Sequence, residues 1–495
     1  MPDRSNVQRA LVRGACGVAL VAIAGAGIVA ARVVPEPSQT SLEPVAVTAN
    51  DGQAVLACTG GLLRPAAQGL ILGEEEPEIR GWAGVRSFSQ DQGEGQWGES
   101  TSELGTPQLA GALVLPRGEE PPWAAGATQH SANGGDLRGL ATNTCLWPSS
   151  SAWLVGSSVG IGRSNIVMLT NPSPRPIQVQ IDAFTSTGAA ALSGNSAVAL
   201  AAGETSAISL DGLLGDDDRI ALHLSTDAGV FAATMQHTEL AGTAARGIGF
   251  VSPAALGKRV VVPGVSLTPG QVNLGGAAGA EQTGASTIVD QNLSAAVRIV
   301  NPNETEQSVT VTLIDSEGRA APLPGGKAQV PAQSVLDLSL DGVAAGDYAV
   351  AVAADAPITA GVKMTRASDS GRTDVAWIGA SDALEQGAGA LGEASGRLVV
   401  TTTASLDTED ADPATLEWKA YDENGDETGS GSFEWRGTAG IDLPQGSAYV
   451  TLSADQSVYA AIALTSSEDQ GAGIDSVPIA PRGGQLSATR VVVAD

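Results

Sequence analysis

The sequence predicts an all-β protein behind a single apolar N-terminal helix. Three observations carry this. Aromatic residues make up only 3% of the chain, so cores must be built from Val, Ile, Leu and Ala, which at a spacing of two favour sheets. No long stretch of 3.6-residue periodicity occurs after residue 35. A block of short alternating strands recurs three times at a spacing of roughly 110–130 residues, too long for a solenoid unit and right for whole β-domains.

The first copy reads N-I-V-M-L-T-N-P from Asn165 and I-Q-V-Q-I-D from Ile177. The second reads A-V-R-I-V-N-P from Ala296 and V-T-V-T-L-I-D from Val309. A more distant third reads R-L-V-V-T-T-T from Arg397 and L-E-W-K-A-Y-D from Leu416. Ser186-Thr187-Gly188, Ser316-Glu317-Gly318 and Asn424-Gly425 then sit at equivalent places, as hairpin turns should. Apolar segments around Trp153, Phe250 and Trp377 read as a further strand carrying a core aromatic. Small tandem β-sandwiches of immunoglobulin-like architecture follow. A propeller is the runner-up, for which the copies are too few and too widely spaced. Pro172 and Pro302 each end an apolar run, because proline lacks the N–H a ladder needs and restricts the residue before it. Asn171 and Asn301 favour the turn, so the Asn-Pro pairs read as punctuation rather than as a site.

The N-terminus carries the addressing signal. Arg4, Arg9 and Arg13 precede an uncharged apolar run over residues 14–31. As a helix it rises about 27 Å at ~1.5 Å per residue, and Val33 and Val34 extend it toward a bilayer core of roughly 30 Å. Arginines before the span and an acidic body after it predict a cytoplasmic N-terminus and an extracellular bulk, anchored in the cell membrane by a single pass. The competing reading is a cleaved signal peptide with Ala24-Gly25-Ala26 as its processing site. The predicted order is a cytoplasmic tail at 1–13, the transmembrane helix or signal anchor at 14–34 and a linker at 35–50. An irregular disulfide-tied β region at 51–150 comes next. Repeat 1 is placed at 151–256, a Gly/Ala-rich linker or loop at 257–290, repeat 2 at 291–380 and the diverged repeat 3 at 395–480.

The formal net charge of −28 excludes a nucleic-acid partner, since neutralising phosphates needs clustered Lys and Arg. Cys16 lies in the apolar run, leaving Cys58 and Cys145 as the pair in the exported part, where disulfides persist. A Cys58–Cys145 bond is expected, the alternative being two buried thiols. It would close a loop of about ninety residues, worth roughly 4–5 kcal/mol in the chain-entropy model.

Signals for chemistry are sparse. Gly156-Ser157-Ser158-Val159-Gly160 matches G-x-S-x-G, but a nucleophile elbow needs a helix after the serine and a strand follows here. His130, His223 and His237 are scattered, and the repeat does not demand histidine. Asp422, Asn424 and Asp426 imitate the first positions of a calcium loop. Its required Gly and Glu are replaced by Glu427 and Phe433, and a solvated hairpin turn is favoured. Asp216-Asp217-Asp218 reads as an acidic loop. No H-E-x-x-H, C-x-x-C or P-loop pattern occurs, and no cofactor or metal site is expected. Trp82, Trp97 and Trp123 lie among polar residues: exposed, they would stack on sugar rings; buried, they would supply the core that region otherwise lacks.

The N-terminal anchor, the Asn-Pro repeats and the C-terminal copy together resemble an actinobacterial family of membrane-anchored extracellular proteins known only as a domain of unknown function. The resemblance covers most of the chain after residue 50, and the family supplies no catalytic residues to carry over. The third copy departs from it, with Thr401-Thr402-Thr403 in place of Asn-Pro. The expected function is that of a non-enzymatic cell-envelope scaffold, adhesion or interaction module. A glycan-binding protein using the three tryptophans is the alternative, and a hydrolase is the reading with least support.

Overall fold

A computed structural model describes residues 45–47, 53–64, 79–88, 94–98, 106–116, 121–194, 196–267, 295–368, 371–406, 412–467, 469, 472–483 and 489–491. The expected tail at 1–13 and membrane segment at 14–34 lie outside them. Among the described residues no helix is long and apolar enough to cross a membrane. The fold there is all-β, with a short 3-10 turn at Ala404–Leu406. Two compact units are present. The smaller contains the antiparallel pair Val45–Val47 and Thr489–Val491. The larger spans residues 50–486.

Within the larger unit each repeat builds two antiparallel sheets from eight strands. In the first repeat these are Ser151–Val155, Arg163–Thr170, Ile177–Thr185, the broken strand Gly188–Ala190 with Ala197–Leu200, Thr205–Ser209, Ile220–Ser225, Ala232–Ala241 and Ala244–Val251. One sheet pairs them in the order fourth, third, sixth, first; the other in the order fifth, second, seventh, eighth. Leu154, Val179, Ile181 and Leu222 from one sheet and Val167, Leu169, Ala233 and Met235 from the other form one buried cluster. Burial alternates along Ile177–Thr185, as period two requires of a strand with one face in the core.

The second and third repeats keep this order, with one change. Their sixth and seventh strands are continuous, as Gly346–Ala367 and Tyr449–Thr465. The first half of Gly346–Ala367 pairs with Gln307–Ile314 and the second half with Ala296–Asn301, so one strand serves both sheets. The first strand of the second repeat is Leu256–Leu267, which occupies part of the segment expected to be a linker. Pro263-Gly264 looks like a chain breaker in sequence, but the strand absorbs it as a register shift between Val262 and Val265. The rest of that segment, 268–290, lies outside the described residues. Trp153 also sits elsewhere than expected: it is on a first strand, while Phe250 and Trp377 are on eighth strands.

The disulfide-tied N-terminal region carries the same order in shortened form. Glu94–Gly98, Ala110–Pro116 and Gln53–Thr59 make one sheet; Ile79–Ser87, Ala124–Ala132 and Gly139–Thr144 make the other. These match the third, sixth and first strands, then the second, seventh and eighth. The fourth and fifth have no counterpart among the described residues. The chain also leaves the eighth strand in the same way each time, returning beside the first: Leu146 to Ala57, Pro253–Ala254 to Leu154 and Trp153, Ser381 to Val261, and Ala480–Pro481 to Ala388 and Gly387.

Within the larger unit, the N-terminal region and the three repeats pack in a closed circuit. Trp153, Phe184 and Ala221 of the first repeat meet Val300 and Val335 of the second. Val261, Ile314 and Ala351 of the second meet Leu406 and Tyr459 of the third. Ala388, Ala390 and Tyr449 of the third meet Trp82, Ala125 and Ala127 of the N-terminal unit. Leu62, Leu137 and Ala141 of that unit meet Ile166, Met168 and Phe250 of the first repeat.

One carboxylate ties the circuit together. Asp374, on the eighth strand of the second repeat, is fully buried. It accepts backbone N–H bonds from Leu140 (3.0 Å), Ile248 (3.2 Å) and Ile474 (2.9 Å), one residue from each of the other three units. A Cβ on Gly139 would lie 2.5 Å from its Oδ1 and one on Gly247 2.8 Å, so the approach depends on glycine there. Burial pushes Asp374 up to about 7, against the pull of those N–H donors. Asp475 beside it, accepting from Thr142 at 2.6 Å, is likewise raised by burial.

Candidate functional site

A cleft of about 490 Å³ lies where the N-terminal unit meets the third repeat. Its floor is the outer face of the sheet formed by Ala414–Tyr421, Glu427–Trp435 and Tyr449–Thr465. Strand alternation puts Glu417, Lys419 and Tyr421 on this face, while Leu416 and Ala420 enter the core. Cross-strand register sets Ser432 and Ser453 beside Glu417, and Ser430 and Thr451 beside Lys419. The wall is Phe88 and Trp123, joined by the Phe88 N–H to Trp123 carbonyl bond at 2.9 Å.

The opening lies at the junction where no fifth strand is described. At two other junctions the fifth strand lies over its neighbour's sheet. Val335, on the fifth strand of the second repeat, packs against Phe184. Thr438, on that of the third, donates its N–H to Asp315 (2.9 Å) and its hydroxyl to the Ile314 carbonyl (2.8 Å). The N-terminal unit has no described fifth strand to lay over the third repeat, and no described strand covers the floor there.

The aromatic side chains around the cleft are held rigidly. Phe88 packs on Tyr421 at 5.1 Å and on Tyr449 at 6.0 Å, and Trp82 meets Tyr449 edge-on at 5.7 Å. Burial pushes the Tyr449 phenol up to about 12. The Arg482 guanidinium covers one face of Trp123 at 4.8 Å and is itself fixed by the Pro121 carbonyl and Gln386 Oε1, both at 2.8 Å.

The predicted tryptophans are thus split. Trp123 lines the cleft, Trp82 is buried behind it at 8% exposure, and the Trp97 side chain lies outside what the structure describes. The cleft residues of the third repeat had no local signal in sequence, because the site arises only when distant strands meet.

Cys58 and Cys145 form a disulfide with Cα atoms 4.2 Å apart, joining the first strand of the N-terminal unit to the end of its eighth. The Asn-Pro pairs are structural clamps. The Asn171 amide donates to Arg175 and Ala201 carbonyls (both 2.8 Å) and its oxygen accepts from Ser173 N–H (3.0 Å). Asn301 repeats this with Thr305, Pro331 and Asn303. Thr402 keeps only the last contact, to Ala404 N–H at 3.4 Å.

Gly156-Ser157-Ser158-Val159-Gly160 connects two strands of the first repeat. The Ser157 carbonyl accepts from Arg298 of the second repeat, which also binds the Ile220 and Asp218 carbonyls, pairs with Asp337 at 2.9 Å and stacks over Trp377. His130 and His237 are buried, and burial lowers them to about 4 and about 3. His223 is half-exposed, on the outer face of the first repeat. Its Nε2 lies 3.0 Å from Ser151 Oγ and its Nδ1 3.6 Å from an Asp182 oxygen. Burial lowers its pKa and Asp182 opposes the shift. Asp422–Asp426 forms the expected hairpin turn, with Asp422 accepting from Asp426 N–H at 2.8 Å and Gly425 at φ 87°. Asp217 in the acidic loop is engaged by Ser186 and Arg219. Among the described residues no group of three or more His, Cys, Asp or Glu is placed to hold a metal ion.

No curated protein matches the chain. The model of a family of unknown function, DUF5719, matches residues 99–442, from the N-terminal unit into the third repeat, and the chain belongs to that family.

Proposed function

We propose that this is a non-enzymatic, exported cell-envelope protein, held at the cell membrane by its N-terminal segment, that acts as an interaction module through the cleft between its N-terminal unit and third repeat. The repeats are tandem β-sandwiches of immunoglobulin-like architecture on this reading. The pairing of second with fifth and third with sixth strands supports that, since the same two pairs hold the sheets of that fold. The observation that carries the function is the uncovered floor: a rigid aromatic wall over a polar sheet face, at the one junction whose fifth strand is missing among the described residues. Largely pre-formed concave sites with a few convergent polar groups are where ligands bind. The test is retention of solubilised envelope material by the exported chain. Ser432→Tyr, which fills the cleft from an exposed position, should abolish retention while leaving the melting temperature unchanged. Equal retention by both proteins would defeat the reading.

A hydrolase is favoured by one observation, the Ser151–His223–Asp182 contact. Ser151 lies on a sheet whose amides are committed to ladders with Ile220–Ser225 and Pro253–Ala254, which leaves no aimed pair of N–H donors for an oxyanion. Covalent labelling by a fluorophosphonate, lost in Ser151→Ala, would establish it; an unlabelled chain would dismiss it.

A further inference from the structure

We infer that the cleft binds a neutral saccharide chain, an inference that rests on the cleft being the binding site. The lining divides into two chemistries. Trp123 and Phe88 offer apolar ring surface, and Tyr421 adds a ring with a hydroxyl. The floor offers four hydroxyl side chains, Ser430, Ser432, Thr451 and Ser453, with one acid, Glu417, and one base, Lys419. A pyranose presents the same division, with C–H groups on its faces and hydroxyls around its rim. Rings stack on the faces, and hydroxyls, a carboxylate and an ammonium answer the rim as both donors and acceptors.

Charge supports the choice. The chain is strongly acidic at −28, which repels an anionic ligand at long range. Within the cleft one acid and one base are adjacent on a strand, Glu417 and Lys419 flanking Trp418, so the floor carries no net charge to attract a strongly ionic partner. Rigidity supports it too. Sugars gain little per contact, so the site must already be ordered. Trp123 is fixed by Arg482, and Tyr421 by Phe88. The volume of about 490 Å³ is of the size of pockets that hold small ligands, enough for a short run of sugar rings.

The experiment is calorimetric titration of the exported chain with soluble neutral tetrasaccharides: maltotetraose, cellotetraose and N-acetylchitotetraose. The expected result is saturable binding of at least one. It should weaken at least tenfold in Trp123→Ala, survive in Trp123→Phe and vanish in Ser432→Tyr, with circular dichroism unchanged in all three. Binding that persists in Ser432→Tyr would place the sugar elsewhere and overturn the inference. Failure of all three sugars to bind, while Ser432→Tyr still abolishes retention of envelope material, would overturn the saccharide and leave the cleft as the site. Failure of both would remove the two together.

Discussion

The junction between the first and second repeats and the junction between the third repeat and the N-terminal unit use the same two sheet faces, yet one is sealed and the other open. At the first, Val335 on a fifth strand covers Phe184, and Arg298 reaches across to three carbonyls while pairing with Asp337. At the second, the N-terminal unit lacks a described fifth strand, and Phe88 and Trp123 border an uncovered floor. Where a fifth strand lies over the neighbouring sheet the junction is closed; where none is described, a cleft remains. The Cys58–Cys145 disulfide ties the N-terminal unit, and the cleft beside it is lined by aromatic side chains with polar ones.

The largest effect should come from the shortened unit. Cys58→Ser should lower stability by about 4 kcal/mol in the chain-entropy model, seen in urea unfolding. A change under about 1 kcal/mol would show that the N-terminal unit holds itself together without the bond. Arg298→Ala tests the sealed junction. It leaves the Asp337 carboxylate without its partner and three carbonyls without a donor, at a cost of about 3 kcal/mol.

Asp374→Asn tests the hub that both junctions share. An amide cannot accept through its nitrogen, so N–H groups now facing the carboxylate lose their acceptor, costing about 2 kcal/mol. The pH dependence has a definite sign. Asp374 titrates near 3.8 when unfolded and about 7 when folded, so the folded state holds more protons between these values. Its contribution is full in acid and is lost as pH rises toward 7. The deficit of the Asn variant should therefore be largest near pH 4 and narrow toward neutrality. His130 and His237 act in the opposite sense. Their folded values lie below 6.5, so their contribution is present above that pH and falls as pH drops toward about 4 and about 3. The comparison of variant with parent removes this shared background. Smallest are the turn clamps: Asn171→Ala should cost about 1.5 kcal/mol, and Thr402→Ala about 0.5 kcal/mol, since threonine makes one of the contacts that asparagine makes three of.

Much of the repeat was legible in the sequence. Ile177–Thr185 alternates because one face is in the core, and Gly425 marks its turn because φ 87° suits glycine. The N-terminal unit was not legible as a copy. Ala124–Ala132 and Gly139–Thr144 are buried on nearly every residue, so alternation disappears where both faces are covered. Leu256–Leu267 was hidden by Pro263-Gly264. The cleft was beyond any local pattern. Trp123 alone hinted at it, while Lys419 and Ser432 stand about three hundred residues away and reach it only through the closed packing of the units.

The most direct test is retention of solubilised envelope material by the purified protein, compared with Ser432→Tyr and with Ser316→Tyr, another exposed serine, in a turn of the second repeat. Retention is expected from the parent and from Ser316→Tyr, and its loss in Ser432→Tyr at unchanged melting temperature. Retention by all three proteins alike would contradict it.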